Sequence, residues 1–87
     1  MTYAIEFSHQ AARQFKDLPK QVQVRLKPKI DELAENPRPR RVEKLKGEDD
    51  LYRIRVGDYR VIYQVRDKAL IVLVVKIGDR KEVYKRI

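Results

Sequence analysis

The sequence predicts a single α+β domain over residues 1–87: an N-terminal strand, an antiparallel helix hairpin, and then a three- to four-stranded antiparallel sheet. Three observations predict it. Apolar residues alternate in the first seven positions, recur at helical spacing between residues 11 and 33, and alternate again from residue 51 onward. A chain of 87 residues can bury one sheet face against a helix or two, and has no room for a large internal cofactor cavity.

In the first element Tyr3, Ile5 and Phe7 alternate with Thr2, Ala4 and Glu6, the period of a half-buried strand. Ser8 is placed to N-cap a helix whose apolar face is Ala11, Phe15 and Leu18, and Pro19 stops it. A second helix follows, with Val22, Leu26, Ile30 and Leu33 on one face and Asn36-Pro37 as its end. Pro28 interrupts that helix, where a missing amide bond to Val24 costs roughly 3 kcal/mol, so a kink or a restart is expected.

"PRPRRVEKLKGEDD", residues 37–50, has no period and reads as a loop leading to the sheet. Strands are expected at Leu51–Val56, Tyr59–Val65 and Leu70–Ile77, with Glu82–Tyr84 as a possible short last one. "LIVLVVKI" is apolar on both faces and suits an interior strand.

The hairpin "LYRIRVGDYRVIYQV" carries the chemistry. Gly57 and Asp58 alone separate its strands, and a two-residue loop of type I′ or II′ fixes the register. Val56 then faces Tyr59, Arg55 faces Arg60, Ile54 faces Val61, and Arg53 faces Ile62. Tyr52, Ile54, Val56, Tyr59, Val61, Tyr63 and Val65 line one face, while Arg53, Arg55 and Arg60 share the other. Like charges directly opposite are destabilising, and an anion held between guanidinium forks reverses that sign. Two readings stand side by side here, a solvated arginine face and an anion site.

Composition narrows the partners. The formal charge is +8, of which residues 1–37 carry +1 and residues 38–87 carry +7. Such one-sided charge attracts polyanions, nucleic acid most commonly, with an anionic membrane or an acidic protein segment as the other choices. The absence of Cys excludes disulfides and Cys-based zinc sites, and the lone His9 leaves no His cluster for a metal. Adjacent carboxylates in "GEDD" rarely converge on a metal, and Asp49 or Asp50 fits better as a partner of turn amides. No run of about eighteen apolar residues is present, and the polar N-terminus lacks a signal peptide's pattern, so a cytoplasmic protein is expected.

The segments "YAIEFS", "AARQFKDLP", "ENPRP", "KLKG", "LYRIRVGDYRVIYQV" and "GDRKEVY" together resemble the RelE/ParE superfamily of toxins from type II toxin–antitoxin pairs, in its RelE-like branch. "YRIRVGDYRVIY" is the specific part. The resemblance implies the RelE-like fold and a ribosome-dependent endoribonuclease that cuts messenger RNA in the ribosomal A site. It implies no metal or cofactor, and a cognate RelB-like antitoxin that holds the toxin inactive. By resemblance the catalytic set falls on Arg53, Arg55, Arg60, Arg80 and Tyr84. Arg53 and Arg55 stand where some members have lysine, and Asp79 where others have His or Lys.

The implied reaction has the RNA 2′-hydroxyl attack its own phosphate, leaving 2′,3′-cyclic phosphate and 5′-hydroxyl ends. It needs a proton removed, charge on the phosphate stabilised, and the leaving oxygen protonated. Arg60 and Arg80 suit the phosphate clamp, Arg53 and Arg55 add field, and Tyr84 stacks on a base or carries a proton. Arg38, Arg40, Arg41, Lys44 and Lys46 are the expected contacts to RNA and the ribosome, with Lys20, Arg25, Lys27 and Lys29 as further cations. Two other functions fit the same fold: a ParE-like poison of DNA gyrase, and a basic module that only binds.

Overall fold

The computed structural model describes residues 2–40, 42–45 and 50–79. In chain order these form β1 (Ala4–Phe7), α1 (His9–Asp17), α2 (Lys20–Glu32), β2 (Glu43–Lys44), β3 (Leu51–Val56), β4 (Tyr59–Arg66) and β5 (Ile71–Asp79). The strands make one sheet in the order β1-β5-β4-β3-β2. The α+β class is as expected, and the sheet is larger than expected. β1 joins it parallel to β5, from Ala4↔Ile71 to Phe7↔Val74, while all other neighbours are antiparallel. β5 is therefore an interior strand, as its two-sided apolar run requires. Glu82–Tyr84 lies outside the described residues.

Local chemistry sets the helix limits. Ser8 Oγ accepts the Ala11 N–H at 3.0 Å, which caps α1. Pro19 forces Leu18 into extended backbone (φ −73, ψ 149) and ends it. The Gln23 side-chain amide then reaches back from α2 to the carbonyls of Phe15, Lys16 and Leu18, at 3.0, 3.2 and 3.0 Å. The carbonyls at the end of α1 thus gain a donor from the neighbouring helix. Of the kink or restart expected at Pro28, the restart does not occur, since α2 runs unbroken through it. Val24, whose carbonyl loses its donor, is 64% exposed and Pro28 is exposed too, so water is at hand on that side.

Both helices lie on one face of the sheet, α1 over β5 and β1 and α2 over β3. The core joins Ala11, Leu26, Ile30 and Leu33 to Tyr52, Ile54, Val61, Tyr63, Val65, Val72, Val74 and Ile77. Phe7 and Phe15 meet edge to face at 5.9 Å and seal the β1 end. No helix among the described residues is long and apolar enough to cross a membrane.

The expected 37–50 loop contains one short strand. β2 pairs only Glu43 with Arg53 and Lys44 with Tyr52, too short a stretch to show a period in sequence. From "GEDD" the described residue is Asp50, which takes φ 63, a value that Asp tolerates, and its backbone carbonyl accepts the Val65 N–H at 3.0 Å.

Candidate functional site

Gly57 has φ 61 while Asp58 stays at negative φ, the pattern of a type II′ turn. The register is the expected one: Val56↔Tyr59, Arg55↔Arg60, Ile54↔Val61 and Arg53↔Ile62. The apolar half of the alternation is buried under the helices, and the arginines emerge on the opposite face. A side chain at Gly57 would also crowd Arg25, whose Nη2 lies 3.3 Å from the place of a Cβ.

The three arginines occupy unlike environments. Arg55 is exposed. Arg53 reaches across to β2, where its Nη2 lies 2.8 Å from Glu43 Oε2. Arg60 is 3% exposed. Its Nη1 makes one long bond, 3.4 Å, to the Tyr59 carbonyl, and its buried Nε has no hydrogen-bond partner. Among the described residues no carboxylate lies within ion-pair distance of it. A buried guanidinium left so is costly for the fold, since each buried donor without a partner forfeits its hydration. An anion on this face would supply what the chain does not.

A β-bulge completes the face. Tyr63 pairs with Val74 and Ile62 with Lys76, so Val75 is the extra residue on β5. Without it Lys76 would pair with Val61 and turn toward the helices. α1 holds the bulge. Ser8 N donates to Val74 O at 2.9 Å, Ser8 Oγ donates to Val75 O at 3.2 Å, and Ile77 N donates to Gln14 Oε1 at 2.7 Å. Lys76, 8% exposed, thus shares a face with Arg60, and Gly78 stands directly opposite Arg60. Reading "LIVLVVKI" as apolar on both faces passed over Lys76. The signal was there, in a single charge inside an interior strand.

The other expected contacts are scattered. Arg38 lies on the helix side, with its Nη2 2.8 Å from Asp67 Oδ2 and its Nε donating to the Tyr52 hydroxyl at 2.9 Å. Its charge is already matched, and Asp67 holds its pKa above the usual arginine value. Lys27 and Lys29 pair with Asp31 and Glu32 along α2. Lys20 is exposed on α2 and Lys44 on β2, and His9 is exposed at the start of α1. Arg25, Arg40 and Arg55 line a groove of about 1050 Å³ between α2 and the edge of β3. Arg41, Lys46, Arg80 and Tyr84 lie outside the described residues. Among those described, no three His, Cys, Asp or Glu side chains come together.

Comparison with known proteins bears on this geometry. Residues 5–84 match the family model of the ParE toxin of type II toxin–antitoxin systems. The mRNA interferase toxin RelE of Escherichia coli is 36% identical over 97% of this chain and 92% of its own. A RelE-named toxin of Methanocaldococcus jannaschii is 34% identical over 98% of both. Isolated Escherichia coli RelE superimposes with a TM-score of 0.81, at 36% identity over 95% of this chain and 92% of that one. The archaeal RelE–RelB complex of Pyrococcus horikoshii gives 0.79, at 39% identity over 92% and 97%.

Proposed function

Because the chain belongs to the ParE toxin family of type II toxin–antitoxin systems, we propose that it is the toxin of such a pair, an endoribonuclease that cuts messenger RNA in the ribosomal A site. The observation that carries the reading is Arg60: a guanidinium almost fully buried, with an unpartnered Nε, on a basic sheet face. That is a seat for a phosphate rather than for water. In this reading Arg60 and Arg80 grip the scissile phosphate, Arg55 and Arg53 orient the backbone on either side, and Tyr84 packs against a base. Fixed positive charge lowers the barrier chiefly by stabilising the phosphorane, and the ribosome supplies the in-line orientation. The products are a 2′,3′-cyclic phosphate and a 5′-hydroxyl.

The relatives of known structure include RelE bound to RelB, and this chain pairs by the same logic with a RelB-like antitoxin. Its place of action is with ribosomes, in the cytoplasm.

The test adds the purified protein to ribosomes stalled on a defined message, with free message as control, and maps the 5′ ends. Ribosome-dependent cuts that vanish with Arg60→Ala or Arg80→Ala, in folded protein, support the reading, and Tyr84→Phe measures the tyrosine. Cutting by either arginine variant at the wild-type rate removes it from the site. The name of the family model favours a second reading, a poison of DNA gyrase, and the curated relatives named RelE favour the first. Inhibition of supercoiling without message cleavage would decide for the second.

A further inference from the structure

The nuclease reading leaves one task unassigned. Expelling the 5′-oxygen requires a proton, and guanidinium groups do not release theirs at any working pH. Arg53, Arg55 and Arg60 therefore supply charge and hydrogen bonds, and none of them supplies a proton. Lys76 is the one ammonium group that the described part of this face contains.

We infer that Lys76 is the general acid of the cleavage, its Nζ proton passing to the departing 5′-oxygen. The inference rests on the nuclease reading and on the bulge. Val75 is inserted opposite Ile62 and Tyr63, and that insertion alone puts Lys76 on the arginine side of β5. Ser8, the N-cap of α1, and Gln14 within it hold the bulged strand by its backbone. A bulge that re-aims one side chain beside a cationic site is a positioning device. Lys76 lies directly opposite Ile62 and one diagonal step from Arg60, while Gly78, opposite Arg60, adds no side chain between them.

The charged groups on this side of the sheet, among the described residues, are Arg53 and Glu43, which pair with each other, Arg55, Arg60, Glu6 of β1 beside Leu73, and Arg66 at the end of β4 opposite Ile71. An ammonium group has a proton to give and is a far stronger acid than the alcohol it would form. In the step, the bond from O2′ to phosphorus forms and the bond from phosphorus to O5′ breaks. The 2′-hydroxyl proton goes to water, the Lys76 proton goes to O5′, and water reprotonates the amine. Electrons and protons balance with no further reactant.

The test uses ribosome complexes carrying a message with an ordinary scissile linkage or with sulfur in place of the bridging 5′-oxygen. A thiolate leaves without a proton. Lys76→Met is expected to slow cleavage of the ordinary linkage by about 100-fold and to cut the sulfur linkage within a few-fold of wild type. Lys76→Arg keeps the charge and is expected to stay slow on oxygen. The inference is overturned if Lys76→Met is equally slow on both linkages, if it matches wild type on both, or if Lys76→Arg restores the oxygen rate. Arg60→Ala should lose both linkages alike. Wild-type protein that cuts neither overturns the nuclease reading itself, and with it the role of Lys76.

Discussion

Arg38 and Asp67, 29 residues apart, form a two-pronged pair: Nη1 donates to Oδ1 at 3.2 Å and Nη2 to Oδ2 at 2.8 Å. Tyr3 closes the same carboxylate from the N-terminal side, its hydroxyl donating to Oδ1 at 2.7 Å. The Arg38 guanidinium also lies 5.2 Å from the centre of the Tyr52 ring. One carboxylate in the turn after β4 thereby ties together the start of the chain, the loop that follows α2, and β3. A cation expected to reach RNA thus has partners within the fold.

The pair has a pH signature. Hydrogen bonds from Arg38 first, and then from Tyr3, hold the Asp67 carboxyl at about 2, below its ordinary 3.8. A carboxyl whose pKa is lower in the folded state adds stability that is complete above 3.8 and is lost as the pH falls toward 2. Wild type should therefore melt higher than Asp67→Asn near neutral pH, and the gap should close across that window. Melting curves for both proteins from acid to neutral pH check this. An equal gap at both ends would mean that charge on Asp67 is not what the variant removes.

Tyr63 is the second tie on the same loop. Fully buried and stacked on Tyr52 at 5.9 Å, it donates its hydroxyl to the Pro37 carbonyl at 2.7 Å. Burial, reinforced by Tyr52, pushes its pKa up, so the hydroxyl keeps its proton at any usable pH. Tyr63→Phe leaves a buried carbonyl without a donor, a loss of about 1–2 kcal/mol, or roughly 4–8 °C in Tm per kcal/mol for a domain of this size. Chemical denaturation should show the change in midpoint with an unchanged slope. A Tm equal to wild type would mean that water reaches Pro37.

The hairpin register was legible because one glycine and the alternation of apolar residues fix it, and both are local. The fate of each arginine was not. Arg53 is claimed by Glu43 on a two-residue strand, and Arg60 is buried by position in the sheet, neither of which spacing reveals. The parallel partnership of β1 and β5 joins residues more than sixty apart, which no local pattern reports. Lys76 changes face through one extra residue, which a period of two cannot register. The pairing of Arg38 was hidden for a related reason: its partner, Asp67, sits in a turn that ordinary patterning treats as solvent.

Gly57 offers a direct test of the register. Its φ of 61 strains any residue with a side chain, and a Cβ would meet the Arg25 guanidinium. Gly57→Ala should cost about 1 kcal/mol, and Gly57→Asn less, because Asn tolerates the left-handed region. Cleavage by the surviving folded protein should persist in both, since Arg55 and Arg60 remain opposite. Urea denaturation and the ribosome assay on the same samples separate the two effects. Equal stability of all three proteins would show that the turn relaxes to another type.

Arg60 sets stability against function. Its guanidinium is buried without a counter-ion among the described residues, so the charge itself burdens the free protein. Arg60→Met keeps much of the aliphatic stem and removes the charge, and should melt at or above the wild-type temperature while losing cleavage. Inorganic phosphate should raise the Tm of wild type through binding to the folded state, and should raise that of Arg60→Met less. Calorimetry of both proteins across a phosphate series, at constant ionic strength, reads the two effects together. A variant that melts several degrees lower, with the same response to phosphate as wild type, would make Arg60 a structural residue and move the anion site elsewhere on the sheet.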